Sequence, residues 1–482
     1  MKPGVPIEQG GTAGAETATT RRSALLVSTL SSFLTPFMAS SVLIALPTIG
    51  REFGVDAVVL GWVVTAFILA AAIFLLPFGR LADIHGRKRV YAGGVTLFTV
   101  ASLLCGLAPS AGLLIGFRAL QGVGSTMMFG TGTAILTSVY PAGERGWVLG
   151  VNVAAVYLGL SLGPPLGGLL TWHFGWRSIF FVCVPAGAIV LGLIQWHLKG
   201  EWAEARGESF DGVGACLSGC GLVLLVSGLS AASGARSVGL IALAAIAFVA
   251  FVRWESRVAS PMLSMELFRG NPVFAFSNLA ALIHYNATFG VSFLLSLYLQ
   301  ELRGLGPQAA GMVLLCQPTL MAACSPFAGR LSDRVEPRSL ASTGMAMTAA
   351  ALVGFAFLGG ETSIVLIAGN LVLLGIGYSL FSSPNTNAVM SSVDKRAYGV
   401  ASATLGTMRL TGNLLSMSMA TLILTLFLGR QQITPAQHVH FLQGVRVTFG
   451  IFALLCVGGI FASLARGRVR FGLDSGSGGD RV

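Results

Sequence analysis

The sequence predicts an all-α polytopic membrane protein: two six-helix bundles with two further helices inserted between them, fourteen transmembrane helices in all. Three observations predict it. The composition is 54% hydrophobic and only 10% charged, with a mean hydropathy of +0.79, whereas a soluble domain is about one quarter charged. The few charges cluster between apolar stretches long enough to cross a hydrocarbon core about 30 Å thick. Finally, a basic loop from Gly79 to Arg89 returns in worn form, roughly 250 residues later, from Gly329 to Arg338, a long-range repeat that marks a duplicated unit. Each copy follows a Pro-Phe pair that ends an apolar run, Pro77-Phe78 and Pro326-Phe327.

The first six spans centre near Ser32, Ile68, Phe98, Gln121, Tyr157 and Gly187. They make an N-terminal bundle over 21–199, after a disordered tail over 1–20 that lacks the basic region, apolar core and cleavage site of a signal peptide. The charged stretch Lys199 to Asp211 leads into spans centred near Leu222 and Ala244, and 200–270 is read as the inserted pair with its following loop. Six more spans, near Ala287, Val313, Thr348, Leu371, Leu410 and Cys456, make a C-terminal bundle over 271–466, before a Gly/Ser-rich tail over 467–482. Gly61 to Arg80 and Gly311 to Arg330 align at one offset, which supports the six-two-six division. Parallel repeats of this kind put a substrate site between the halves near the midplane.

The net charge of +11 does not imply a nucleic-acid partner. With the N-terminus inside, the inner loops hold about 22 Lys and Arg and the outer loops about 6, the skew of the positive-inside rule. An even number of spans then places both termini in the cytoplasm and the chain in the inner or plasma membrane. All seven cysteines fall in apolar runs and read as small hydrophobes. Neither Cys216 with Cys220 nor His438 with His440 has a supporting ligand, so no metal site is expected.

At the level of motifs, Gly79 to Arg89 resembles the loop signature of the major facilitator superfamily. Arg118-Ala119-Leu120-Gln121-Gly122 resembles its fourth-span Arg-x-x-Gln-Gly motif. The run Gly159 to Gly168, with Gly163, Pro164 and Gly167, resembles its fifth-span antiporter motif. Ala45-Leu46-Pro47-Thr48-Ile49 and Trp176-Arg177-Ser178-Ile179-Phe180 resemble the fourteen-span EmrB/QacA-like drug-efflux branch. The resemblance runs from Arg21 to Arg466. It implies the major-facilitator fold and a monomeric secondary transporter that exports small organic compounds by alternating access, as a multidrug-type antiporter coupled to protons.

The residues have readings of their own. Asp83 lies among Arg80, Arg87, Lys88 and Arg89, where a carboxylate can hold a cytoplasmic gate shut through charge-assisted bonds and a helix dipole. Gly79 and Gly86 permit close approach and a tight turn, and Gly329 and Asp333 repeat the arrangement. The basic residues alone, Arg87 included, can equally serve to set topology. Arg118 lies inside a span, where an ionised guanidinium costs at least about 2.5–3.5 kcal/mol, so it must face protein or water. Gln121, Gly122 and Ser125 share its face. The resemblance links this arginine to proton coupling; bonding to backbone carbonyls is the alternative. The glycine run from Gly159 lets helices pack closely, and Pro164-Pro165 removes backbone donors.

His284 sits at mid-span beside Asn286 and titrates in a range suited to carrying a proton, unless it is a neutral imidazole bonded within the bundle. Arg409, with Asn413 one turn on, lies near the midplane. Ser379, Ser383, Asn387 and Ser391 form a stripe read, with Gln317, Asn370 and Asn385, as facing the cavity or bonding between helices. The candidate substrate residues are therefore Gln121, Ser125, Asn286, Gln317, Ser383, Asn387, Arg409 and Asn413.

Asp and Glu, in contrast, all fall in loops or at span ends. Met38 and Cys183 occupy positions where the efflux branch usually carries Asp and Asn. Buried arginines without buried acids favour neutral or anionic ligands over dications, so a uniporter or importer of a small organic anion is a second reading. The sequence has no phosphate-binding Gly-x4-Gly-Lys-Ser/Thr loop and no His-Glu-x-x-His. No enzyme activity and no cofactor are expected, and the energy would come from gradients.

Overall fold

A computed structural model of the chain describes residues 10–467, apart from 142–143, 199, 204–206, 208, 232–233, 259–260, 264, 333, 394–397, 430 and 432; at 10–19, 145–146 and 399 it describes the backbone alone. The expectation for Asp333, and those for the tails over 1–9 and 468–482, lie outside the described residues. Helix α1 (Gly10–Phe53) begins within the segment read as a tail. It is followed by α2 (Ala57–His85), α3 (Arg87–Gly106), α4 (Ala111–Val139), α5 (Arg145–Phe174) and α6 (Arg177–His197). The inserted pair is α7 (Gly212–Ser230) and α8 (Ala235–Glu255), and the short α9 (Met265–Gly270) leads into the second bundle.

In that bundle two spans are interrupted. Helices α10 (Pro272–Thr288) and α11 (Gly290–Leu297) continue through a π-turn at Tyr298–Leu302, and α12 (Pro307–Leu314) continues into α13 (Cys316–Ser332). Then come α14 (Pro337–Ala356), α15 (Ile364–Ser391), α16 (Tyr398–Leu428) and α17 (His438–Ala465). Among the described residues thirteen helical segments are long and apolar enough to span a bilayer. Helix α4, 29 residues long, is the fourteenth. It is more polar because it carries Arg118, Gln121, Ser125, Ser138 and four threonines.

Local chemistry sets the helix starts. The Asp56 carboxylate accepts from the Val59 amide at 2.9 Å, the Asn271 side chain accepts from Phe274 at 3.0 Å ahead of Pro272, and Asp211 accepts from Gly214 at 2.9 Å. Each satisfies one of the amides a helix start leaves without an internal partner. Within the first half, α1 packs on α5 and α4 on both α2 and α3; in the second, α15 packs on α13 and α14. The halves meet where α2 lies on α16, α5 on α12 and α13, and α1 on α11. The inserted pair leans on the α2–α16 seam through α7. The loop between α2 and α3 marks one membrane face, called here the loop face.

Candidate functional site

A cavity of about 300 Å³ lies between the halves, at the small end of the range for ligand pockets. Its walls come from α1, α2, α4 and α5 on one side and from α10, α11, α12, α13, α15 and α16 on the other. Most lining side chains are apolar or aromatic, with Phe67, Phe129, Tyr285, Phe289 and Tyr378 presenting rings. Four of the expected substrate residues line it: Ser125, Gln317, Arg409 and Asn413. Among the described lining residues there is no Asp, Glu, Lys or His.

The other four lie outside that lining, and three of them bond to neighbouring helices. The Gln121 amide donates to the Ser102 hydroxyl at 2.7 Å. Ser383 donates to the Ser325 carbonyl at 3.3 Å and Asn387 to the Ser332 hydroxyl at 3.0 Å. Asn286 is buried beside the α10–α16 contact, its side-chain oxygen without a hydrogen-bond partner. The serine stripe of α15 therefore faces α13: Ser379 also donates there, to Met321. In a bilayer, interhelical bonding consumes a polar stripe as readily as a cavity does.

Arg118 and Arg409, alike in sequence, differ in place. Arg118 is 1% exposed. Its Nε donates to the Val63 carbonyl at 3.1 Å, its Nη1 donates to the Gln121 carbonyl oxygen, and its guanidinium carbon lies 4.3 Å from the centre of the Phe67 ring. It staples α4 to α2 behind the ring that faces the cavity. Arg409 is on the cavity wall, its guanidinium carbon 5.0 Å from the centre of Tyr285, and its Nε meets no acceptor. His284 is fully buried behind Tyr285 and Tyr378 and stacked 4.0 Å from Phe381. Neither of its ring nitrogens has a hydrogen-bond partner.

At the far face, opposite the loop, the halves touch directly. Ser296 donates to the Leu43 carbonyl at 2.7 Å and Gln300 to the Ile44 carbonyl at 3.0 Å. Arg51 pairs with Glu301 at 3.5 Å. A Cβ on Gly311 would run into the Pro164 carbonyl oxygen, and one on Gly168 would lie 2.5 Å from the Pro307 oxygen. The rest of the glycine run faces its own half: Gly159 lies against Phe33 and Gly163 and Gly167 against Ser40 and Ser41, all on α1. The antiporter-like motif thus builds the α1–α5 contact and, at its end, meets the other half.

At the loop face, Arg87 Nε donates to Asp83 Oδ1 at 2.9 Å while its Nη1 donates to Ser138 on α4 at 2.6 Å. Sequence reasoning missed the third member of this cluster, the segment after α6. Glu201 accepts from the Lys88 amide at 2.8 Å and lies 3.6 Å from Arg89, and the Trp202 carbonyl accepts from the Arg87 amide at 2.8 Å. Gly86, at φ +115°, lets the chain turn, and a Cβ there would collide with Glu201. Gly79 and Gly329, expected to permit close approach, face open space. The missed signal was Glu201 itself, the first acid of the charged stretch after α6. The cavity rings had none beyond their clustering, since aromatics are common in any span.

The sequence profile of the Major Facilitator Superfamily matches residues 28–417 and 277–472. The riboflavin transporter RibZ of Clostridioides difficile (strain 630) is 31% identical over 385 residues, covering 80% of this chain and 84% of that protein. The multidrug resistance protein Stp of Mycobacterium tuberculosis (strain CDC 1551 / Oshkosh) is 32% identical over 411 residues, covering 84% and 76%. Among solved structures, a bacterial homologue of the human lysosomal transporter Spinster, inward-facing and unoccupied, superposes with a TM-score of 0.69 at 19% identity, over 93% of this chain and 97% of that one. With two related bundles around a central cavity and these matches over most of its length, the chain is a multi-pass membrane transporter and belongs to the major facilitator superfamily.

Proposed function

We propose that this transporter exports small organic compounds by alternating access, exchanging them for protons. The observation that carries the reading is the cavity between the halves, shut at the far face by direct backbone contact between α5 and α12. A site so placed is reached from one face at a time if the bundles rock about it. In this reading both termini and the loop face are cytoplasmic, the membrane is the cell membrane, and 21–199 and 271–466 are the moving bodies. Asp83, Arg87 and Gly86 hold the loop-face gate, with Asp333 and Gly329 as their counterparts. RibZ and Stp, named as a riboflavin transporter and a multidrug resistance protein, support small organic cargo.

Of the two proton candidates, His284 fits better. Arg118 is held by a carbonyl and an amide, whereas the His284 ring nitrogens are free of protein partners. The test is extrusion of fluorescent compounds from a strain lacking its own pumps, with proton movement followed in proteoliposomes. Export that alkalinises or acidifies the lumen, and that loses the proton signal in His284→Gln while counterflow persists, supports the assignment. Downhill movement with no proton flux in the wild type would instead favour the second reading, a uniporter or importer of an organic anion, which the acid-free lining also accommodates.

A further inference from the structure

We infer that the cavity selects organic monoanions, with an aromatic body between ring faces and a carboxylate or similar acidic group at Arg409. The inference rests on the transport reading above and names the substrate class of the same cavity. Three arginines within the bundles show how this chain treats a guanidinium. Arg118 is held by the Val63 carbonyl and Gln121. Arg466 donates through its Nη groups to Ser277, Asn385 and the Pro337 carbonyl at 3.2, 3.1 and 2.7 Å, its Nε alone lacking an acceptor, and, like Arg118, it lies outside the cavity lining. Arg409 leans on the face of Tyr285 while its Nε meets no acceptor.

One turn along α16, the Asn413 side-chain oxygen is also buried without a partner. Asn amide oxygen and nitrogen exchange by a flip, so this group can present its NH2 to the same ligand. A guanidinium edge beside an amide is a donor pair suited to a carboxylate, and charge-assisted bonds of this kind are the strong ones. Phe67, Phe289 and Tyr378 supply apolar faces for the rest of the molecule. A cationic ligand would meet Arg409 with no acid on the described walls to offset the repulsion.

Three compounds with one ring system isolate the charge: 9-anthracenecarboxylate, 9-anthracenemethanol and 9-(aminomethyl)anthracene. Their fluorescence is titrated with purified full-length protein in detergent. The carboxylate is expected to bind at least about tenfold more tightly than the ammonium compound. Arg409→Gln should weaken the carboxylate about 10- to 100-fold while leaving the alcohol nearly unchanged, which also certifies the fold. Arg409→Lys should restore part of the loss, and Asn413→Ala should weaken the carboxylate less than Arg409→Gln does.

Equal or tighter binding of the ammonium compound, no detectable binding of the carboxylate, or an unchanged preference in Arg409→Gln overturns the inference. If the preference holds but vesicles extrude none of the three, the export reading fails and the substrate class stands.

Discussion

Gly168 and Gly167 are neighbours on α5 that look in opposite directions, and this makes a decisive pair of substitutions. A Cβ on Gly168 would sit 2.5 Å from the Pro307 oxygen, 2.9 Å from the Gln308 Cα and 3.0 Å from the Pro307 carbonyl carbon, all backbone of the other half. Ordinary van der Waals contact, from 3.4 Å outward, requires the halves to part there by roughly 0.9 Å, and forced overpacking costs about 1–3 kcal/mol. Because the strain exists only while the far face is closed, Gly168→Ala should shift the closed-to-open equilibrium by about 5- to 150-fold. A Cβ on Gly167 would lie 2.7 Å from Ser41 Cβ, inside its own half. Gly167→Ala should therefore cost stability in both states and leave their ratio unchanged. The readout is the reaction of Ser296→Cys with a water-soluble maleimide, in protein otherwise freed of cysteine. Ser296 is fully buried at the interface, so labelling reports opening, and Gly369→Ala, where a Cβ meets nothing, is the control. Unaltered labelling in Gly168→Ala, or an equal rise in Gly167→Ala, would refute the reasoning.

At the loop face, Asp83→Asn removes the charge from the 2.8 Å pair with Arg87. It should cut transport several-fold while insertion and yield stay as in the wild type; unchanged transport would remove Asp83 from the gate. Glu201→Ala deprives the Lys88 amide of its acceptor and Arg89 of its partner, a loss of about 0.5–2 kcal/mol as for a helix cap. Amide exchange at the start of α3 should quicken, and equal protection in wild type and variant would contradict the assignment. Arg118→Ala leaves Gln121 and the Val63 carbonyl without their donor and opens a void behind Phe67. Thermal stability should fall with transport, by about 1–3 kcal/mol for the buried acceptors left without a donor. A variant of wild-type melting temperature that has lost only proton coupling would return Arg118 to the coupling role.

The fold was legible because hydropathy and the repeated loop report length, and length in a membrane is nearly architecture. The site was half legible, and the misses share one physical cause. Sequence gives the face a polar residue occupies on its own helix but not what that face meets. Ser383 and Asn387 recur every four residues, a spacing that serves a cavity wall and a helix–helix contact equally, and α13 places the Ser325 carbonyl and the Ser332 hydroxyl opposite them. Arg118 and Arg409 likewise sit near mid-span with an amide side chain nearby. Only the rotation of α4, which carries Arg118 behind Phe67, separates a staple from a cavity charge. That no Asp or Glu falls at mid-span was legible from the sequence, and none is found among the described residues that line the cavity. That the absence leaves Arg409 as the charge on the cavity wall needed the three-dimensional arrangement.

The two ends of the molecule carry different contacts: the halves touch each other at the far face, whereas the loop-face cluster lies within the first half and the segment that follows it. At the far face the closest contacts are glycine against backbone, Gly311 on Pro164 and Gly168 on Pro307. Such contacts are short-ranged: a separation of less than 1 Å already forfeits much of their attraction. At the loop face the cluster of Asp83, Arg87 and Glu201 is built from charged groups, whose attraction falls off slowly with distance and weakens with salt. In the proposed rocking motion, the far-face contact between the halves would therefore release abruptly. Arg409 lies between them on α16, the helix that also runs along α2 beside the inserted pair. A ligand that neutralises Arg409 lowers the cost of closing protein around that charge. In the proposed cycle, occupancy of the cavity would thereby favour closure around the ligand.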